Sequence, residues 1–372
     1  MRRSVVALAL VAACRPGHGP PRVQRLPKPD GSPALRGGGA PRSPRIANYK
    51  IEARFDSQRH RITGSETLTW TNTGGSPVDK LPFHLYLNAF KNEQSIFMRS
   101  SRGTMRGAHA ADASWGWIQV DSLTIAGDEL APKLTYPDAP DETVAEVPLA
   151  TPVQPGQTIE VAVRFSEQLP EVFARTGYKG EFHLVGQWFP KIGVRVGPPG
   201  AEQWECQPLH LNTEFFADFG TYDVTLEVPS TEVVAATGVL VAAQEAGGGM
   251  RTLTYHAEDV HDFVWMADPY MKVYSGQAKV ENGTVEVRVL ARPEQEHFAR
   301  RHLEAAIGAI EKFSALFVPY PWPTMTVIDP PMDASAGAGG MEYPTLVTTA
   351  GDHALMRPGI RLPEYVTIHE VG

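Results

Sequence analysis

The chain has 372 residues, of which 42% are hydrophobic and 20% charged, with a net charge of −8. That balance suits a globular protein with room for two or three domains and a sizeable core. The first 45 residues carry nine Lys or Arg against one Asp, so the remainder carries the acid. An acidic body argues against nucleic acid as a partner, because phosphate recognition needs a basic surface.

Met1 to Cys14 (MRRSVVALALVAAC) places Arg2 and Arg3 before a short apolar run. The run is too short for a permanent membrane span and reads as a signal peptide. Val11-Ala12-Ala13-Cys14 resembles a bacterial lipobox, in which Cys14 is lipidated and becomes the mature N-terminus. An ordinary signal cleaved near these small residues is the alternative. The lipobox reading implies an exported protein, a periplasmic or cell-envelope lipoprotein anchored to the membrane by its N-terminus. Past Cys14 only Cys206 remains, so neither an intrachain disulfide nor a C-x-x-C metal pair is expected.

Residues 15–45 are rich in Gly and Pro and poor in bulky apolar side chains, and are expected to be a disordered linker. From Ile46 the period changes to two. Tyr49–Phe55, the stretch to Trp70 and Leu81–Leu87 alternate apolar and polar side chains, the pattern of half-buried strands. Further strands are expected at Thr158–Phe165, Thr221–Val228, Thr252–His256 and Val264–Ala267, separated by turn signals such as Gln154-Pro155-Gly156. Residues 46–275 therefore read as an N-terminal all-β domain, a sandwich or curved sheet.

A second region, 276–372, opens with an alternating strand at Thr284–Leu290. After Pro293 the period lengthens: Phe298, Leu303, Ile307, Ile310, Phe313 and Phe317 recur at helical spacing. Thr324–Asp329 is another expected strand. A loop from Ala334 to Gly340 leads into Met341–Thr349, and a last helix opens at Pro363. The whole is α+β and multidomain.

Two strings carry chemistry. The chain closes on His369-Glu370-Val371-Gly372. H-E-x-x-H on a helix sets two His one turn apart facing a zinc ion, with the Glu beside its bound water. Here only the first four positions are present, and taken alone the pair fits a surface or core histidine as well. Upstream lies Gly339-Gly340-Met341-Glu342-Tyr343-Pro344. Two glycines permit close backbone approach to a ligand, and Glu342 can meet a cationic group. Taken alone, this too fits a tight turn into a strand with an exposed Glu.

Together, and in this order, the two strings resemble the gluzincin zinc aminopeptidases, the family of membrane alanyl aminopeptidase and leukotriene hydrolase. There a G-A-M-E-N or G-G-M-E motif precedes H-E-x-x-H. Gly186–Lys191 (GQWFPK), Glu214–Gly220 (EFFADFG) and His261–Trp265 (HDFVW) look like strings of bacterial members. The resemblance covers residues 46–372 and implies that 276–372 is the start of a thermolysin-like α/β catalytic domain. It implies Zn2+ as cofactor, His369 as a metal ligand and Glu370 as general base. It further implies Glu342 as the binder of a substrate's α-ammonium, with Gly339, Gly340 and Met341 lining the substrate backbone. Peptides with a free N-terminus would be the substrates. Tyr343 departs from the family's Asn, and one His ligand of three implies that this chain by itself is inactive. The alternative function is a non-catalytic, lipid-anchored scaffold that binds peptides or partners. The sequence leaves oligomeric state open.

Lesser candidates are His183 and Gln187 as substrate contacts and Trp115 and Trp117 as a sugar platform, for which packing is the stronger expectation. Cys206 is expected as a plain thiol. Tyr320–Pro323 is expected as a turn, and His256, His261 and His353 as structural or solvated.

Overall fold

The computed structural model describes residues 19–30, 40–105, 107–110, 114–349 and 359–372. The Met1–Cys14 segment and His353 lie outside the described residues. The molecule is mostly β-sheet with few helices.

The first body is built on an eight-stranded sheet. Its strands run in the order Val239–Gly247, Met250–Val260, Gly220–Pro229, Ala47–Asp56, Arg61–Thr71, Thr158–Gln168, Trp117–Ile125 and Asp128–Glu129. Neighbours are antiparallel except Ala47–Asp56 with Gly220–Pro229, which run parallel. Alternation does what the sequence asks: Ala47, Tyr49, Ile51, Ala53 and Phe55 all face inward. Across the core from them pack Leu81, Phe83, Val185, Trp188, Phe189 and Trp265, carried by smaller sheets and their connections. The result is a sandwich. The parallel pairing is tight at one end, where a Cβ on Gly220 would lie 1.6 Å from the Ala47 carbonyl oxygen, so only glycine fits.

In the second body strand Lys272–Val280 pairs with Gly283–Ala291. The sheet continues through Thr324–Ile328, Leu346–Thr348 and Met341–Tyr343, with both central pairings parallel. A long helix, Glu296–Leu316, connects the first parallel pair and packs on the sheet. Its buried face is Ala299, His302, Ala305, Ala306, Ala309 and Ile310. Of the expected stripe, Ile310 is buried and Leu303 and Ile307 pack against the sheet's core, while Phe317, just past the helix end, is 76% exposed; alanines fill most of the buried face. The loop Ala334–Gly340 also contains a short helix, Ser335–Ala338.

The two bodies share an apolar seam. Val172, Phe182, Leu184, Val264 and Met266 of the first pack with Leu290, Ile328, Met341, Tyr343 and Leu346 of the second. Polar bonds fix its register. Gly238 N donates to Thr345 Oγ1 (2.7 Å) and the Gly238 carbonyl accepts from Thr324 Oγ1 (3.0 Å). Gly238 has φ +82°, and a Cβ there would lie 2.3 Å from the His256 carbonyl oxygen, so both conformation and space require glycine.

Part of the span expected to be a disordered linker is docked on this seam. Asp30 N donates to the Leu240 carbonyl (2.7 Å), and Leu240 N donates to Asp30 Oδ2 (2.8 Å). Arg288, on the second body's sheet, donates to Asp30 through Nη1 (3.1 Å) and Nη2. One part-buried carboxylate thus links both bodies. Asp30→Ala is expected to lower unfolding free energy by about 2 kcal/mol, since it leaves the part-buried Arg288 with only Glu286. Denaturant unfolding of Asp30→Ala, Arg288→Met and the double variant measures this, with the double costing less than the sum of the two.

Candidate functional site

The last helix, Leu362–Val371, carries His369 and Glu370. Pro363 sits in its first turn, where the missing N–H costs nothing. Side chains clamp this helix to the long one. Arg301 donates to both Glu364 oxygens (2.8 and 2.7 Å), and His302 Nδ1 lies 2.7 Å from Thr367 Oγ1. His302 is fully buried, and burial pushes its imidazole down to about 4, so it stays neutral. With the helix fixed this way, Glu370 turns inward and is buried, while His369 is exposed and lies parallel to the Tyr365 ring at 6.4 Å.

Glu342 arrives from strand Met341–Tyr343, an edge strand whose residues alternate buried, exposed, buried. Period two therefore sinks Met341 and Tyr343 into the seam and presents Glu342. The structure brings Glu342 and Glu370 together: their strand and helix touch, and the two carboxyl groups are close enough to interact. Burial first, and the Glu342 charge next, push the Glu370 carboxyl up to about 7. Gly339 and Gly340 lead into this strand. Gly340 has φ +68° and donates its N–H to the Thr348 carbonyl at 3.2 Å, closing the hairpin.

One participant escaped the sequence reading. Arg175, in the left-handed region at φ +70° and 5% exposed, belongs to the β body. Its N–H donates to the Gly337 carbonyl (2.7 Å), and its carbonyl accepts from Tyr343 Oη (3.2 Å). Its guanidinium pairs with Glu214 (2.8 Å) and draws the Glu370 carboxyl down, against the larger upward pushes. No composition or periodicity signal marks it, because its place depends on two chain segments meeting. Around it the fit is close: a Cβ on Gly186 would lie 2.9 Å from Tyr343 Oη and 3.2 Å from the Arg175 carbonyl oxygen. Gly186→Ala is expected to destabilise by about 1–3 kcal/mol through overpacking. Tyr343→Phe should recover part of that loss in thermal unfolding.

Other candidates fall elsewhere. Gln187 is buried at φ +55°, accepting from Lys191 Nζ (2.9 Å) and donating to Asp262. Lys191 and Asp262 pair at 2.7 Å, both almost wholly buried. Gln187 is thus a member of an internal ion-pair triad. His183 is buried too, its Nε2 lying 2.8 Å from His60 Nδ1, with His60 stacked on Tyr178 at 3.5 Å. Trp115 packs on the core, and Trp117 lies under the Arg61 guanidinium at 5.7 Å. Cys206 is half-buried, and burial pushes its thiol up. His256 pairs with Asp223, and His261 meets the Phe219 ring edge-on at 5.2 Å. The Tyr320–Pro323 turn is a seam element, where Trp322 Nε1 donates to the Glu258 carbonyl (2.9 Å).

Among the described residues no group of three His, Cys, Asp or Glu is placed to hold a metal ion. His369 with the Glu342–Glu370 pair does not make up a zinc site by itself.

Comparison with protein-family models finds no match. Comparison with curated proteins finds none either. Solved structures do match. The M1 zinc metallopeptidase from Deinococcus radiodurans aligns at TM-score 0.54 and 16% identity, over 88% of this chain and 62% of that one. A mutant of that peptidase bound to a Tyr-Ser-Ala substrate gives 0.54 and 17%, over 91% and 66%. A mutant two-domain M1 zinc metallopeptidase bound to L-arginine gives 0.53 and 16%, over 87% and 63%. The fold is shared with the M1 zinc metallopeptidases, of the gluzincin family. The chain spans less than two thirds of the length of these neighbours.

Burial pushes the His183 imidazole down to about 3, with the His60 ring adding to the effect. The folded state then holds His183 neutral, while the unfolded chain protonates it near its ordinary value. Stability from this group is intact above about pH 6.5 and is lost as pH falls from there towards 3. His183→Asn should reduce the slope of unfolding free energy with pH by about 1.4 kcal/mol per unit in that window. Denaturant unfolding at a series of pH values reads it.

Proposed function

We propose that the protein to which this chain belongs is a zinc-dependent aminopeptidase acting on peptides with a free N-terminus. The observation that carries the reading is the convergence of Glu342 and Glu370. They come from an edge strand and a separate helix, and they meet beside His369 on a fold shared with zinc metallopeptidases.

The two carboxyl groups have different surroundings and therefore different uses. Glu342 is exposed and suited to bind a substrate α-ammonium group. Glu370 is buried, with its carboxyl near neutrality, which matches the demand on a group that takes and returns a proton. Gly339, Gly340 and Met341 would lie along the substrate backbone. Residues 276–372 would be the start of a thermolysin-like α/β domain, and His369 this chain's contribution to the zinc. A catalytic zinc site takes three protein ligands, and the described residues offer no such group. Inactivity of this chain by itself is part of the same proposal and rests on the resemblance of the His369-Glu370 string to an H-E-x-x-H motif. Export and anchoring through Cys14, with a periplasmic or cell-envelope location in a bacterium, complete the proposal on the strength of the Met1–Cys14 pattern.

The natural full-length protein should hydrolyse amino-acid arylamides and leave their N-acetylated forms untouched. Glu370→Gln should lower kcat by at least 100-fold, in line with the loss of a general base. Glu342→Ala should cripple turnover while zinc content stays near one per chain. Undiminished turnover in Glu370→Gln overturns the assignment of the base, and zinc loss in Glu342→Ala overturns that of the ammonium site.

A further inference from the structure

The basic N-terminal span is not all loose tether. Gln24 N donates to the Ser230 carbonyl (2.8 Å), Arg251 Nη1 donates to the Arg25 carbonyl (3.2 Å), and Asp30 is held as described above. On the strap's side these docking bonds use main-chain atoms, the Asp30 carboxylate and the Gln24 side chain, whose Nε2 donates to the Pro269 carbonyl (3.3 Å). The side chains between them are left outside. Arg22, Arg25 and Lys28 are exposed, as are Val23 (72%) and Leu26 (41%). Val273, which shares a groove with Pro27 and Lys28, is 53% exposed.

Among the described residues none of the three cations makes a side-chain ion pair. The acidic groups close to the strap are engaged elsewhere: Asp30 and Glu286 hold Arg288, and Glu245 accepts from Ser230 Oγ (3.3 Å). A fixed strip of three cations and two large apolar side chains thus stands on a body that is otherwise acidic.

We propose that this strap, residues 22–28, is a contact surface for an anionic lipid bilayer. Headgroup phosphates attract each Lys or Arg at the surface and strengthen binding about fivefold per residue. Val23 and Leu26 are apolar anchors for the boundary between headgroups and acyl chains. Docking to Ser230, Arg251 and Leu240 orders the strap beforehand, so little backbone entropy is lost on contact. The acidic remainder is repelled by the same bilayer, which turns the strap towards it. The proposal requires neither zinc chemistry nor an acyl chain on Cys14.

The test uses residues 15–372, since every described residue lies beyond that cut and neither the apolar leader nor Cys14 then contributes. Co-sedimentation is measured with phosphatidylcholine vesicles with and without phosphatidylglycerol. The expected result is binding to the anionic vesicles only, released by raised salt. Replacing Arg22, Arg25 and Lys28 together by Ala should weaken it on the order of 100-fold, with the melting temperature unchanged because these side chains touch nothing in the core. Val23→Ser with Leu26→Ser should weaken it at constant charge. The proposal is overturned by absence of binding, by equal binding to both vesicle types, or by undiminished binding in the triple variant. Tighter binding to a DNA oligonucleotide than to anionic vesicles, unaffected by the Val23 and Leu26 changes, would assign the strip to nucleic acid instead.

Discussion

Where the turn around Arg175 meets the glycine-rich loop before Glu342, there is no room for a side chain. A Cβ on Gly337 would lie 2.6 Å from the Val172 carbonyl oxygen, and the Arg175 N–H is bonded to the Gly337 carbonyl at 2.7 Å. This backbone-on-backbone contact sets how the β body sits on the second sheet. The apolar seam fills in around it, from Val172 and Phe182 on one side to Met341 and Tyr343 on the other. Because Tyr343 is sunk into that seam, Glu342 beside it must point the opposite way, towards the last helix. The candidate site is therefore a consequence of an interface between two bodies.

The β body is stiff where it supports the site. Lys191, Gln187 and Asp262 form a closed set of charge-assisted bonds inside an aromatic core that includes Trp188, Phe189 and Tyr222. A buried pair of this kind is weak evidence for net stability, since desolvation offsets much of the attraction, but removing one partner strands the other. Its geometric effect is firmer. Phe263 N donates to Asp262 at 2.8 Å and Trp188 Nε1 donates to the Phe263 carbonyl at 2.9 Å, which ties the Gly186–Lys191 string to the His261–Trp265 string. Both strings lead directly into the seam, through Gly186 against Tyr343 on one side and Val264 on the other.

The second sheet solves a different problem, that of placing a short helix accurately. A ten-residue helix is marginal by itself. It is held by Arg301–Glu364 on one flank and His302–Thr367 on the other. Both partners come from the alanine-rich long helix, which can lie close to the sheet because its buried side chains are small. The glutamate that ends up inward is the one the last helix needs to present to Glu342.

Much of this was legible in the sequence, because period-two alternation is a local property. Strands such as Ala47–Asp56 and Thr158–Gln168 follow from which side chains must leave water. The glycine–Met–Glu string and the His-Glu pair were visible as residue types in order. Other features were fixed only by long-range packing. The buried face of the long helix depends on how closely a sheet approaches it: alanines take most of it, with Ile310 buried and Leu303 and Ile307 packed alongside. Gln187 and His183 carry polar side chains that read as surface chemistry, yet each is itself buried against a partner far away in sequence. Docking of Asp30 depends on Arg288 and Leu240 lying side by side, which only the tertiary fold arranges. What the sequence by itself determined is the inventory: β-rich halves, the order of the motifs and a basic N-terminal span. What only the tertiary structure decided is which side chains meet, with Glu342 on Glu370 and Arg175 across the seam, because contacts between distant segments are set by shape and space and leave no local period to read.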